Sequence, residues 1–357
     1  MIAPATIDFD DAEGLLAADR GGLLRGASMA GAQVRATAAA LDEGALESVA
    51  GDSPRTVVWV AGRGNAETAG TILAAAVGAS AAAPIVVCAE VPPWIGALDV
   101  LVVAGDDPGD PSIVGAAATG VRRGARVAVV APYEGPLRDT TAGRVAVLEP
   151  RLWVPDEFGL VRYLAAGLAV MHVIDPGLST DLAALADELD AEALRNSAAR
   201  ELFTNPAKTL ADRISGRAVV LAGDNAATLA LARHGGAAML RIGHRDVAAV
   251  GLADAIVALR TGFGAQTDAD RESALFHDDE LDGPLPERAR TIALTLDAER
   301  AVVTARVAGL NDVDIVGAED VPDVGEAPVQ TGRPEQQLAM LAVRLEMAAT
   351  YVRLVRG

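Results

Sequence analysis

The chain has 357 residues, of which about half are hydrophobic but only 3% aromatic, and its formal net charge is -19. This length allows two domains with large cores, and the acidic charge disfavours binding to the phosphate backbone of nucleic acids. The single cysteine, Cys88, excludes an internal disulfide and suits a reducing cytoplasm. The uncharged stretch Thr68 to Ala89 could span a bilayer by length. It contains Gly78 and Pro84, however, so it predicts a helix, a turn and a strand in a soluble protein.

Short apolar runs alternate with helical stretches in the first part of the chain. This alternation predicts a parallel sheet with crossover helices, and runs without a period of two fit strands covered on both faces. The predicted strands are Thr56–Ala61, Pro84–Ala89, Asp99–Ala104 and Arg126–Ala131, and the predicted helices are Asn65–Val77 and Pro111–Arg123.

A second segment repeats the pattern without being alike residue by residue. Its predicted strands are Arg217–Ala222, Ala237–Arg241, Thr291–Leu296 and Val313–Val316. Its predicted helices are Ala226–Arg233, one from about Ala298, and Pro334–Arg356. Two helical stretches, Glu157–Val173 and Thr180–Leu202, lie between the segments. We therefore expect an α/β protein with two doubly wound parallel-sheet domains, at residues 1–150 and 216–357, joined by a helical connector at 151–215.

The first candidate ligand loop is Gly62-Arg63-Gly64-Asn65, between a predicted strand and a predicted helix. Glycines let the backbone approach a ligand, and a helix N-terminus offers N–H groups to an anion. The loop is also compatible with a simple tight turn. Glu67 stands where a dinucleotide fingerprint has its third glycine, so a dinucleotide-dependent oxidoreductase is only a remote alternative.

The second candidate loop runs from Gly105 to Ser112 and contains three aspartates. Asp110 before Pro111 is typical of a helix cap. Two like charges at ~4 Å cost about 4 kcal/mol at an effective dielectric near 20, so Asp107 and its neighbours should not hold a phosphate dianion unaided. A metal ion bridging the aspartates and an anion stays an alternative.

The histidines offer one candidate acid. His277 is followed by Asp278, Asp279 and Glu280, and carboxylates can raise a histidine pKa and suit it to acid catalysis. A solvated surface histidine is the alternative interpretation. No pair of histidines has zinc-ligand spacing. His172, in an apolar helix, is predicted to be buried, and His234 and His244, each beside an arginine, are predicted to lie at the surface or in loops.

Several short motifs, taken together with their order along the chain, resemble the sugar isomerase (SIS) family, and in particular its bifunctional phosphoglucose/phosphomannose isomerase branch. The resemblance covers nearly the whole chain. It rests on Asp19–Leu24 with Gln33 downstream, Val57–Gly70, Val91–Trp94, Arg123–Ala125, Asn205–Lys208 with Gly216-Arg217, and Gly332-Arg333.

This resemblance implies interconversion of glucose 6-phosphate or mannose 6-phosphate with fructose 6-phosphate, with no cofactor or metal. It also implies a homodimer in which a histidine reaches the site from the partner subunit. The family's active-site arginine falls on Arg162 and its histidine on His277. The predicted ligand-binding residues are Gly62, Arg63, Gly64 and Asn65 of the first loop, which would hold the phosphate, and Asp107 of the second loop.

The chain also departs from the family pattern. Ala66 stands where the first loop has a serine, and the second loop, normally Ser-x-Ser-Gly-x-Thr, holds Gly105, Asp107, Pro108 and Asp110 at those four positions. The family's catalytic glutamate falls near Leu240, so the proton-transfer base is missing or relocated to Asp107, Asp278 or Asp279. Two functions are therefore open: an aldose–ketose isomerase, or a protein of the same fold that binds a phosphosugar or a partner without catalysis.

Overall fold

The computed structural model describes residues 7–178, 180–261, 263, 289–320 and 332–356. His277 and the carboxylates that follow it lie outside the described residues. None of the described helices is long and apolar enough to cross a membrane.

The first sheet is fully parallel and has five strands in the order β2-β1-β3-β4-β5. The strands are β1 (Thr56–Val60), β2 (Ile85–Cys88), β3 (Asp99–Ala104), β4 (Arg126–Val130) and β5 (Ala146–Val147). Helices precede the sheet and cross between its strands. They are α1 (Ala12–Ala18), α2 (Leu23–Ser28), α3 (Ala30–Asp42), α4 (Gly64–Val77), α5 (Pro111–Arg122) and α6 (Gly135–Thr141). Alternate residues of β1 belong to different cores, Val57 and Trp59 on one face and Val58 and Val60 on the other.

The connector between the sheets is helical, as predicted, but its helices are shorter. It contains α7 (Leu160–Ile174), α8 (Leu182–Arg195) and α9 (Pro206–Ile214). The stretch predicted as one helix to Leu202 ends at Arg195. Asn196 follows the last residue of this helix. Its Nδ2 donates to Glu192, and its Oδ1 accepts from the Ala207 N–H at the start of α9.

The second sheet is also parallel, with four strands in the order β7-β6-β8-β9. Its strands are β6 (Ala218–Gly223), β7 (Ala248–Gly251), β8 (Ala289–Leu294) and β9 (Val313–Val316). The helices that accompany it are α10 (Ala226–Arg241), α11 (Leu252–Arg260), α12 (Asp297–Val307) and α13 (Pro334–Leu354).

The predicted strand Ala237–Arg241 is wrong, because α10 continues through it. The pair Gly235-Gly236 does not end the helix but lets it pack closely. A Cβ at Gly235 would lie 2.6 Å from Leu221 of β6 and 3.2 Å from Leu345 of α13. The missed strand, β7, follows α10.

Two histidine predictions are also wrong. His234 is buried in α10, and its Nε2 lies 3.0 Å from Oε1 of Glu346 in α13. Burial raises the pKa of Glu346, and the hydrogen bond with His234 partly opposes that effect. His172 is exposed instead and lies 3.1 Å from the Thr180 hydroxyl.

The C-terminal helix α13 is the centre of the molecule. Every one of its residues except Pro334 and Arg353 is buried, and it packs against α8, α9 and α10. Helix α4 of the first sheet packs against both α7 and α10. One hydrophobic core therefore joins the two sheets, and the start of α4 lies beside the connector.

Trp59 fixes the position of α4 on the first sheet. Its indole Nε1 donates to the Ala66 carbonyl at 2.9 Å, and a Cβ at Gly70 would lie 2.4 Å from the indole ring. The first turn of α4 is therefore attached to a fully buried side chain of β1.

We expect Gly70→Ala to destabilise the protein by about 1–3 kcal/mol, because overpacking must displace Trp59 or α4. Gly115→Ala is the matched control, since Gly115 lies inside α5 with no atom within 4 Å of its added Cβ. That change should stabilise by about 0.4–1 kcal/mol. Urea denaturation of both variants measures the difference, and equal effects of the two would contradict this packing.

Candidate functional site

The first candidate loop forms an open helix N-terminus. Gly64 has φ +65°, a conformation that favours glycine, and α4 begins there without a hydrogen bond from any capping side chain. The N–H groups of Gly64, Asn65 and Ala66 have no hydrogen-bond partner among the described residues. An α-helix of this length presents a partial positive charge at such an end, which favours an anion.

The equivalent ends of two other helices are closed by side chains of the chain itself. Asn225 caps α10 in a reciprocal arrangement with Thr228, and Glu299 accepts two bonds from the Asn225 amide, at 2.7 and 2.6 Å. Asp110 caps α5, as predicted. Of these three strand-to-helix turns, only the turn into α4 is left open to a ligand.

Two polar side chains hold the segment before α7, Asn65 from the start of α4 and Gln33 from α3. The Asn65 amide donates to the Asp156 carbonyl at 2.6 Å, and the Gln33 amide donates to the Phe158 carbonyl at 3.0 Å. The single 3₁₀ turn Asp156–Phe158 is thereby held beside the α4 N-terminus. Helix α7 follows this turn directly and carries Arg162 in its first turn.

Arg162 presents a cationic group with one unsatisfied nitrogen. Its Nη1 is buried, and no described residue accepts a hydrogen bond from it. The guanidinium carbon lies 4.1 Å from the centroid of the Tyr163 ring, which orients it. Burial raises the pKa of the Tyr163 phenol, although the charge of Arg162 partly opposes this. A buried donor without a partner is costly unless a ligand accepts from it.

These elements enclose a cavity of about 260 Å³. Its polar and charged lining consists of Gln33, Arg63, Asn65, Asp106, Asp156, Arg162, Tyr163 and Arg241. Three arginines and two aspartates give the lining a net positive charge within a chain of net charge -19. The cavity is therefore suited to an anionic ligand.

The structure brings some of the predicted site residues together and separates others. Arg63, Gly64, Asn65 and Arg162 all line the cavity. Gly62 is exposed and does not line it. Asp107 does not line it either, because its Oδ1 accepts from the Gly109 N–H at 2.8 Å and shapes the loop.

Sequence reasoning missed three charged groups of the cavity. Asp156 lies in the turn before α7, and Arg241 is the last residue of α10. Asp106 directly precedes Asp107, the aspartate that was predicted from the sequence. Arg241 directly follows Leu240, the position of the family's glutamate, and Nη2 of Arg241 lies 3.2 Å from Glu157 Oε1. Among the described residues, no group of three or more His, Cys, Asp or Glu side chains could hold a metal ion.

Solved structures share this two-sheet arrangement over nearly the whole chain. Tagatose-6-phosphate ketose/aldose isomerase from Escherichia coli has a TM-score of 0.59 at 13% identity, covering 94% of this chain and 93% of that chain. The fold is that of the phosphosugar isomerases of the SIS class. The predicted resemblance is confirmed at this level, while the phosphoglucose/phosphomannose branch stays a prediction.

Two further structures with the SIS fold have different descriptions. A glucose-6-phosphate isomerase-like protein from Thermus thermophilus has a TM-score of 0.55 at 17% identity, covering 98% of this chain and 96% of that chain. The C-terminal domain of glucosamine-fructose-6-phosphate aminotransferase from Francisella tularensis has a TM-score of 0.57 at 11% identity, with 96% of each chain covered. No model of a protein family matches the sequence, and no curated protein matches it.

Proposed function

We propose that this protein binds a hexose 6-phosphate in the cavity, with the phosphate at the N-terminus of α4. The observation that carries the proposal is the buried, unpartnered Nη1 of Arg162 in a cavity lined by the uncapped first turn of α4. A phosphate or enediolate oxygen would accept from both groups. The fold supports the substrate class, since similar structures are described as a tagatose-6-phosphate ketose/aldose isomerase and a glucose-6-phosphate isomerase-like protein.

Aldose–ketose isomerisation is the reaction we propose for this site. A base removes the proton from C2 of the aldose phosphate, and the cis-enediolate forms. The proton is returned to C1, while O1 gains a proton and the C2 hydroxyl loses one to become the ketone. Asp156 and Asp106 are the carboxylates that line the cavity among the described residues, so either could carry the proton. Arg162 would stabilise the negative oxygen of the enediolate. His277, which the family resemblance assigns to ring opening, keeps that role as a proposal.

A phosphosugar-binding protein without turnover is the second candidate. It is favoured by Leu240, an exposed hydrophobic side chain at the position of the family's catalytic glutamate. It is also favoured by Ala66, which offers an N–H but no hydroxyl to a phosphate.

We expect Arg162→Gln to weaken mannose 6-phosphate and fructose 6-phosphate binding by about 10- to 100-fold, because hydrogen bonds from charged donors are worth about 1.5–3 kcal/mol. Isothermal titration calorimetry measures the affinity, and the melting temperature checks folding. Arg122→Gln is the matched control, since Arg122 is an exposed arginine of α5 whose side chain donates to the Thr119 hydroxyl. Unchanged affinity in Arg162→Gln would refute the proposed site.

A coupled assay with glucose 6-phosphate, mannose 6-phosphate and fructose 6-phosphate separates the two candidate functions. An isomerase should lose about 10²- to 10⁴-fold in kcat in Asp156→Asn or Asp106→Asn while still binding the sugar. Binding without turnover in the wild-type protein would establish the second candidate.

A further inference from the structure

A second, larger cavity of about 560 Å³ continues from the candidate site. It lies where α10 and α13 end and where α1 joins α2. Arg241 lines both cavities, and Glu157, whose carbonyl accepts from Asn65, lines the second one. The two cavities therefore meet at the Arg241–Glu157 pair.

Cationic side chains dominate the lining of this second cavity. We call it the basic groove and define it by Arg20, Arg241, His244, Arg353 and Arg356, all of which are exposed. In a chain with 49 acidic and 30 basic residues, a surface of this sign is a local reversal of charge.

The two carboxylates of the groove neutralise its four arginines only in part. Asp19 accepts from the N–H groups of Leu23 and Leu24, at 2.7 and 3.0 Å, and so closes the start of α2. Glu157 is paired with Arg241. Within the described ranges, Arg20, Arg353 and Arg356 have no carboxylate partner.

The backbone holds His244 and Arg353 of the groove in direct contact. His244 has φ +49°, a conformation that costs a non-glycine residue of order 1 kcal/mol. Gly243 precedes it, and a Cβ there would lie 3.0 and 3.2 Å from the carbonyl oxygens of Met239 and Ala349. Nη1 of Arg353 consequently lies 3.1 Å from Nδ1 and 2.5 Å from Nε2 of His244.

Helix ends give a partial structural reason for the arginines. The C-termini of α10 and α13 carry a partial negative charge that attracts cations. That attraction explains why arginines can be accommodated at the ends of these two helices. It does not account for the absence of a neutralising carboxylate at Arg20, Arg353 and Arg356 among the described residues of so acidic a chain.

We propose that the natural ligand carries a second anionic group, a phosphate or a carboxylate, which the basic groove binds. The ligand would be a sugar phosphate whose first phosphate lies at the α4 N-terminus and whose far end reaches past Arg241. This inference rests on the proposed function, because it extends the ligand of that same site. Arg353 and Arg20 would donate charge-assisted hydrogen bonds to the second group.

Calorimetry at fixed ionic strength tests the proposal with three probes: fructose 6-phosphate, fructose 1,6-bisphosphate and 6-phosphogluconate. We expect at least one of the two probes with two anionic groups to bind about tenfold or more tighter than fructose 6-phosphate. The probe that gains affinity identifies phosphate or carboxylate as the second group. In the double variant Arg20→Gln/Arg353→Gln the preference should disappear while the affinity for fructose 6-phosphate is retained. The control Arg122→Gln should keep the preference.

The outcomes distinguish this inference from the proposed function. Equal affinities for all three probes, or a preference that survives the double variant, would refute the basic groove. The proposed site would still stand if Arg162→Gln lost fructose 6-phosphate. Binding of none of the probes to the wild-type protein would overturn both proposals.

Discussion

Arg344→Met is expected to lower the free energy of unfolding by about 3–5 kcal/mol, because it leaves a buried carboxylate without its cation. Nε of Arg344 donates to Glu192 at 2.7 Å, and its two terminal nitrogens donate to the carbonyls of Gly317 and Ala318. Glu192 and Arg344 are almost fully inaccessible to solvent. The pair joins α8, the central helix α13 and the end of β9. Chemical denaturation followed by circular dichroism measures the loss.

The double variant Glu192→Leu/Arg344→Met should recover most of that stability, since replacing both partners of a buried ion pair removes the unpaired charge. The exposed pairs of Arg35 with Asp187 and Asp190 provide the matched control. Arg35→Met should cost no more than about 1 kcal/mol. A double variant as unstable as Arg344→Met would show that shape, and not charge, dominates this site.

Glu192 also makes the stabilisation by this ion pair depend on pH. Burial opposes ionisation, but the charges of Arg344 and Arg195 and the hydrogen bonds to the carboxylate outweigh it and lower the Glu192 pKa. A carboxyl whose pKa is lowered in the folded state stabilises the fold above its ordinary pKa. That contribution is lost as the pH falls through the lowered value. The stability difference between the wild-type protein and the double variant should therefore shrink in acid.

Lys208→Met is expected to cost about 2–5 kcal/mol, because two buried carbonyls and one partly buried carbonyl lose their donor. The Lys208 ammonium donates to the carbonyls of Phe9, Ala198 and Arg200, at 2.6, 2.9 and 2.6 Å. Burial lowers the pKa of Lys208, and nearby Asp10 and Asp8 partly oppose that effect. The residue attaches the segment around Phe9 to α9, so limited proteolysis near residue 9 should accelerate in the variant.

Asp212→Asn is the control for Lys208, since Asp212 lies exposed on the same helix. Its stability should stay within about 0.5 kcal/mol of the wild-type value. If Lys208→Met were equally harmless, the three hydrogen bonds would contribute little to the fold.

Most strands could be predicted from the sequence because buried parallel strands are continuous apolar runs. Asp99–Ala104 and Val313–Val316 were predicted with the bounds that the structure shows. Strand β7 was missed because Ala248–Gly251 is a run of only four mostly small residues and its pairing with β6 is a non-local contact. The helix predicted to end at Arg233 continues to Arg241, and Gly235 lets it pack closely against β6 and α13.

The site was predictable only where local rules apply. The turn into α4 was found because such turns lie at the carboxyl ends of parallel strands, and Arg162 was found through the family resemblance. Asp156 and Arg241 belong to separate segments that meet only after α7 and α10 pack against α4. The proximity of Asp156 and Arg241 therefore cannot be predicted from their spacing in the sequence.

The single lysine has a practical consequence for chemical labelling. Lys208 has no accessible surface and is the only lysine of the chain, so an amine-reactive ester meets only an α-amino group on the native surface. Acylation of the side chain requires that the three carbonyls around its ammonium first move apart. The rate at which that ester modifies Lys208, followed by mass spectrometry, would thus report how often the start of α9 opens in the native protein.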